Sequence, residues 1–429
     1  MRRLIIFLVA SLLGSCGLNP CYAEMPVKYR VSLSETGAGL NRGLTFHAPF
    51  DDPSNPLKIY KGTGAFTLTR ATSAWYTHPT TGFITEAADN VLRIESNGAL
   101  IEGARTNVLT YSEQFNNVAW TAGVANLTIT PNAAVAPDGN ATADLVSVDN
   151  GISGGSAYFN RTTTLTAPYT IIVYAKAAGY TAFSVNNGSG DGGNYDVSAE
   201  TAAAIGGAHV SASITPLGNG WYKCTTSVGV GGLANPHFYT PFGAGTGDGI
   251  KGLYFWGAQM ESGAFPSFYT PAVAAAVTRN ADVLSLPSSG NIDNVAGTLA
   301  MEWVPEFAST MTTGAAYYLF DAGDLEAYYN ATDQKIYFKG GDNTVSTAAL
   351  TFSANVTQKL AFRWGTSGLD IYRDGASVAT GADYVGPTLG GNLYIGSDTA
   401  GANQAFSNIE SERIWNRALS DAELQSITR

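Results

Sequence analysis

The sequence predicts an all-β chain of sandwich or barrel type, closed by one short helix and preceded by an apolar leader. Three observations carry this. Short β-branched or aromatic runs recur, at 169–174, 252–258, 299–304, 315–320, 335–339, 360–364 and 393–395. Gly, Asn and Asp punctuate them, as turns require. Helical periodicity is confined to the leader and the last segment, which is the pattern of β-sandwiches and barrels.

The elements follow in chain order. Residues 1–23 read as a signal peptide: Arg2-Arg3, an apolar core over 4–13, and small residues before Glu24 at Cys21-Tyr-Ala23. Leu13-Gly-Ser-Cys16 offers a second reading as a lipobox, with Cys16 as a lipidated N-terminus. Residues 24–103 are N-terminal strands. A composition break near 104–107 and a small-residue connector at 271–279 bound a middle module, 104–271, and a C-terminal one, 272–429. Asp374-Gly375 between Leu369-Asp-Ile-Tyr-Arg373 and Ala376-Ser-Val-Ala379 predicts a hairpin. Ile414-Trp415 is a last strand, and Ser420 and Glu423 have capping-box spacing for a final helix, with Asp421 in its first turn.

Composition narrows the function classes. The chain has 429 residues, 13% charged and 45% hydrophobic, with 49 Gly, a profile of β-rich extracellular proteins and not of disorder. The net charge of −11 leaves no basic stripe for a phosphate backbone, so nucleic acid is not an expected partner. No stretch after residue 24 resembles a membrane span, so a membrane is reached only through a lipid anchor. Of the three cysteines, only Cys224 lies in the body, in the alternating run Gly220-Trp-Tyr-Lys-Cys-Thr-Thr-Ser-Val. It shares a face with Tyr222, Thr226 and Val228, opposite Trp221, and reads as a small buried hydrophobe.

The tail Arg413-Ile-Trp-Asn-Arg-Ala-Leu-Ser-Asp-Ala-Glu-Leu424 resembles the closing segment of concanavalin A/laminin-G-like jelly rolls. Gly297-Thr-Leu-Ala-Met-Glu-Trp303 resembles an opening strand of such a domain, and Gly43-Leu-Thr-Phe-His-Ala-Pro-Phe-Asp51 its missing first strand. This implies a discontinuous sandwich in which residues 43–51 pair with the strand near Ile414. In the middle module, Arg105-Thr-Asn-Val-Leu-Thr-Tyr-Ser-Glu-Gln-Phe115, Ala136-Pro-Asp-Gly-Asn-Ala-Thr-Ala-Asp144, Gly220-Trp-Tyr-Lys223 and Phe255-Trp-Gly-Ala-Gln-Met-Glu261 occur in an order similar to galactose-binding-like, carbohydrate-binding-module jelly rolls, especially those of phage tail and virion proteins. Phe66-Thr-Leu-Thr-Arg-Ala-Thr72 and Leu100-Ile-Glu-Gly-Ala-Arg-Thr-Asn107 resemble the same chains. The resemblances imply two jelly-roll β-sandwiches, one short C-terminal helix and an N-terminal signal helix.

Catalytic signatures are missing. His47, His78, His209 and His237 have no metal-ligand spacing, and there is no nucleophile elbow or phosphate loop. The hydrolase branch of concanavalin A-like folds has a Glu-x-Asp-x-x-Glu strand that does not occur here. The expectation is therefore no enzyme, with a glycoside-active one as a minor alternative. Sugar C–H faces pack on aromatic rings while their hydroxyls seek amides and carboxylates. Trp75, Tyr76, Tyr195, His237, Tyr239, Tyr328 and Tyr329 are the candidate loop aromatics, against the alternative of strand-edge or core residues. Trp120, Trp221, Trp256, Trp303, Trp364 and Trp415 lie in strand patterns and read as core. The resembled families often carry a structural calcium ion, for which Asp321 and Asp324, and Asp191 and Asp196, are the candidates; no Ca²⁺-loop motif accompanies them, and solvated turn carboxylates are the better reading.

Two function classes result. One is a secreted or envelope-anchored glycan-binding or adhesion protein whose partner is a polysaccharide or cell-surface glycan. The other is a virion structural or receptor-binding protein of a phage or prophage. The leader favours the first and the motif series the second. A trimer would suit a fibre tip, but no coiled-coil heptads support one, and the oligomeric state stays open.

Overall fold

A computed structural model describes residues 40–429 except 122–125, 153–156, 164, 208–209, 231–234, 241–245, 312–314 and 382. The leader, Cys16 and His209 lie outside the described residues.

Two sheets form a host sandwich from both ends of the chain. The eight-stranded sheet runs Ala376–Gly381, Gly368–Arg373, Gln358–Gly365, Gly297–Pro305, Ser407–Trp415, Gly98–Ile101, Arg93–Glu95, with Leu44–Ala48 also pairing Ser407–Trp415. The seven-stranded sheet runs Thr67–Thr69, Val283–Pro287, Leu389–Ile395, Ala316–Gly323, Leu325–Asn330, Lys335–Gly340, Asn343–Ser346. Alternation along each strand sends Leu299, Met301, Trp303 and Phe362 from one sheet against Phe320, Phe338 and Leu393 from the other. Phe320 and Phe338 each meet Phe362 with ring centroids 5.3 Å apart.

The expected first strand is in place: Leu44 lies opposite Trp415 and Phe46 opposite Ile414. The final helix, Asp421–Ile427, starts at Ser420, whose hydroxyl accepts from Glu423 N while Glu423 accepts from Ser420 N. Asp374 and Gly375 both have positive φ between the paired strands, as a type I′ turn demands. The host takes more of residues 24–103 than the sequence suggested. Thr67–Thr69, Arg93–Glu95 and Gly98–Ile101 also complete its sheets. Strands this short cannot stand alone, so they find a partner edge. Gly98 is required there: a Cβ would sit 2.2 Å from the Ile409 carbonyl oxygen.

The chain leaves the host to build a second sandwich. Its six-stranded sheet runs Val210–Gly218, Trp221–Val228, Tyr169–Ala178, Gly252–Ser262, Ala143–Val148, Leu127–Ala134. Its five-stranded sheet runs Tyr158–Asn160, His237–Tyr239, Ala182–Asn186, Gly192–Asp196, Thr201–Ile205. Phe115, Phe159, Phe183, Phe238 and Phe255 fill the interior, with Cys224 buried among them. Burial alone pushes the Cys224 thiol up. The six tryptophans expected in the core are all buried. Trp120, however, sits in the single helical turn Val118–Thr121, too short to show a helical period, and donates its indole N–H to the Tyr111 carbonyl.

Arg105–Asn107 and Val277–Arg279, the two ends of the excursion, pair with each other. The outer face of the six-stranded sheet, with Ile172, Tyr174, Trp221 and Trp256, packs on Ile84, Leu100, Phe268 and Tyr269. Beside it lies a fully buried ionic network. Arg70 Nη1 meets Asp282 Oδ1 at 2.8 Å; Arg93 bridges Glu102 Oε2 at 2.7 Å and Asp282 Oδ2 at 2.5 Å; Arg279 lies 3.5 Å from Glu102. Burial opposes ionisation of Glu102 and Asp282, but the guanidinium groups hold both carboxyls below their usual range.

Candidate functional site

The inner strands of the six-stranded sheet are covered on both faces. The five-stranded sheet buries only Phe159, Phe238, Phe183, Val185 and Tyr195 toward the core. Strand alternation therefore turns the intervening residues outward. The register aligns them in two rows. Tyr158, Tyr239, Ser184, Asn194 and Ala203 are successive cross-strand partners. Asn160, His237, Asn186, Gly192 and Ile205 form the next row.

The outcome is a wall of rings beside a low polar floor. Tyr158 and Tyr239 lie 5.2 Å apart between centroids, Tyr158 and His237 likewise 5.2 Å, and His237 stacks on Tyr239 at 5.9 Å. Next to Tyr239 the side chains shrink to Ser184 and Asn194. His237 is oriented from both sides. Its Nδ1 lies 2.7 Å from the Asn235 carbonyl oxygen and its Nε2 3.4 Å from the Asn160 amide nitrogen. Burial, then the neighbouring Tyr158, raises the Tyr239 phenol, against a hydrogen bond from Asn186. Ser184 is 2% exposed, and neither its Oγ nor Asn194 Oδ1 has a hydrogen-bond partner in the protein. Buried polar atoms left unpaired are costly, and here Tyr239, Ser184 and Asn194 are successive partners across three strands.

The structure sorts the sequence candidates. His237 and Tyr239 come together in this trough. Tyr195 does not: it is buried, stacked on Phe183 at 5.0 Å, with its hydroxyl on Thr226 Oγ1 at 2.6 Å. Its Gly-rich neighbourhood reads as a loop but pairs as a strand, and parity turns Asn194 outward instead. Tyr329 is likewise core, donating to the Ser309 carbonyl. Its neighbour Tyr328 faces outward on the seven-stranded sheet, between Tyr318 at 5.1 Å and Tyr337 at 5.3 Å. Those rings stack on one another in a row separate from the trough. Trp75 and Tyr76 lie in a two-stranded ribbon, Ala74–Thr77 with Ile84–Ala87, and are half-buried against the junction cluster. Tyr158, Asn160, Ser184, Asn186 and Asn194 were missed in the sequence reading; the polar–apolar alternation of 158–160 and 182–186 is their only local signal.

Calcium finds little. Asp321 is buried and already accepts from Gly323 N at 2.8 Å and Thr399 N at 2.9 Å, and burial raises its carboxyl. Asp324 is exposed. Asp196 accepts from Ser198 N and Ala199 N, and Asp191 from Gly207 N. Among the described residues no group of three or more His, Cys, Asp or Glu is gathered as a metal site.

A family model described as the concanavalin A-like lectin/glucanases superfamily matches residues 278–425. No curated protein matches the chain. Among solved structures, the CBM40 module of a Ruminococcus gnavus sialidase bound to α2,3-sialyllactose is 15% identical, covering 32% of this chain and 83% of that one, with a TM-score of 0.24. A Trypanosoma rangeli sialidase in complex with sialic acid is 10% identical over 67% of this chain and 58% of its own, at a TM-score of 0.28. Domains LG4-5 of the mouse laminin α1 chain are 10% identical over 60% of this chain and 86% of their own, at 0.20. Likenesses at this level assign no ligand. The match over residues 278–425 takes in most strands of the host sandwich, and over this segment the chain is similar to that superfamily, with two facing sheets.

Proposed function

We propose that this chain is an exported, non-enzymatic glycan-binding protein whose trough on the five-stranded sheet receives a sugar unit. One observation carries the reading: Tyr239 is in register with Ser184 and, one strand further, with Asn194, and Ser184 Oγ and Asn194 Oδ1 have no partner in the protein. A pyranose laid on the ring would bring its hydroxyls to them, with Asn160 and Asn186 amides alongside. The trough's lining of amide, hydroxyl, phenol and imidazole groups supports binding over hydrolysis as its task. Most glycoside hydrolases use two carboxyl groups across the bond, and the nearby Asp191 and Asp196 accept from backbone N–H groups. The leader supports export to the envelope or medium. The virion reading rests on the motif series of residues 104–271 and predicts accumulation in particles instead.

A glycan array with the mature protein and its Tyr239→Ala variant tests the proposal. Binding to at least one polysaccharide class, lost in the variant at unchanged thermal midpoint, is expected. Equal signals for both proteins, or none for the folded wild type, would reject it. Fractionating producing cells into medium, envelope and particles separates the two locations.

A further inference from the structure

The half-buried ribbon that carries Trp75 faces the connector between the two sandwiches across a cleft of about 320 Å³. Ligand sites of this kind span roughly 300–1,000 Å³. Trp75 and Glu86, cross-strand partners, form one wall with Ser73; Thr270, Pro271 and Val277 form the other. A rim of exposed apolar side chains extends from the second wall, with Val273 62% exposed and Val277 37%. The floor carries two unsatisfied groups. Thr270 is 7% exposed and its Oγ1 has no hydrogen-bond partner; Arg279 is 1% exposed, and its Nε–H also has none. A shallower depression lined by Ala71, Ala88 and Asp89 continues the cleft along the ribbon.

We infer that this cleft is a second saccharide-binding site, separate from the trough, which takes a neutral pyranose unit. The indole and Pro271 supply an apolar slot for the C–H faces of a sugar ring. Thr270 and Arg279, which line the cleft, carry a hydroxyl and an N–H without partners in the protein, and the exposed Glu86 carboxylate can accept from a vicinal diol. That carboxylate repels acidic sugars, so the class is neutral. The walls come from opposite sides of the junction, so an occupant contacts both the host and the connector. The inference stands on its own lining and does not depend on the trough.

Trp75 reports directly on occupancy. The other six of the seven tryptophans are at most 3% exposed, so acrylamide quenching of the folded protein reads chiefly Trp75. The probes are methyl hexopyranosides and hexamers of glucose, galactose and mannose. At least one is expected to shield the accessible tryptophan in both the wild type and Tyr239→Ala. In Thr270→Val, which keeps the side-chain shape, the same shielding should need about tenfold more saccharide. Glu86→Gln, an exposed change, should weaken it several-fold at an unchanged thermal midpoint. Failure of every probe to shield Trp75 would overturn the inference, as would shielding abolished by Tyr239→Ala or unaffected by Thr270→Val. Loss of array binding in Tyr239→Ala with Trp75 shielding intact would support both sites independently.

Discussion

Trp415 donates its indole N–H to the Leu40 carbonyl at 2.6 Å, across 375 positions of sequence. The last strand of the host is thus locked by residues at its start. Trp415→Ala should cost about 3–5 kcal/mol, the range for emptying a buried aromatic site. A urea titration followed by near-UV circular dichroism checks it. Ser420→Ala, which removes only the helix cap, should cost about 1 kcal/mol in the same assay.

Arg93 stands between Glu102 and Asp282 with no access to water. Arg93→Met alone leaves two carboxylates short of a cation and should destabilise by about 3–5 kcal/mol. Pairing it with Glu102→Leu removes charge of both signs. The double variant should therefore lose less than the sum of the singles, by roughly 1–3 kcal/mol. Additive losses in the cycle would show the two residues to be independent.

Glu412 is buried between Ala48 and Met301, and neither carboxylate oxygen has a partner. Burial pushes its pKa up to about 8. The folded state thus holds this proton more tightly than the unfolded one. Its stability is fully present below pH ~4.5 and falls as pH rises through about 8. Glu412→Gln keeps the neutral form at every pH. The variant's advantage over wild type should be small near pH 4, reach on the order of 3 kcal/mol near pH 7, and level off above pH 8. Chemical denaturation across this range measures it; a pH-independent difference would contradict the account.

Ser184 and Tyr195 should behave oppositely although both are buried on neighbouring strands. Ser184→Ala deletes a hydroxyl that bonds nothing, so stability should hold within about 0.5 kcal/mol while saccharide affinity falls. Tyr195→Phe deletes the bond to Thr226 and should cost about 1 kcal/mol with affinity unchanged. Calorimetric titration beside thermal melts separates the two.

Much of the fold could be read without coordinates because its signals are local. Asp374-Gly375 needs only its own φ values, and Ser420 with Glu423 only one helical turn. The motif series was also informative, but about folding. Asn107 bonds Ala258 and Thr270 carbonyls, Asp144 caps Phe115 N, and Gln259 and Glu261 accept from Thr270 N and Ser267 N. Likewise Arg70 and Glu102 of the flanking motifs join Arg279 and Asp282 in the ionic network. These residues are engaged internally. The trough was illegible for the complementary reason. Its residues come from five strands dispersed over 158–239, and only register and parity bring them together. Adjacent Tyr328 and Tyr329 show how little the local string decides: one faces solvent and the other the core.

The pairing of Arg105–Asn107 with Val277–Arg279 has a consequence for how such a chain can change. Both ends of the second sandwich pass through a single two-stranded gate, so the distance between them is set by one hydrogen-bonded ladder and not by the module itself. Any other domain whose termini lie side by side could enter through the same gate. The host is a socket with a second requirement, because Phe265 of the excursion fills its core and the six-stranded sheet covers Ile84 and Leu100, so a replacement has to supply both.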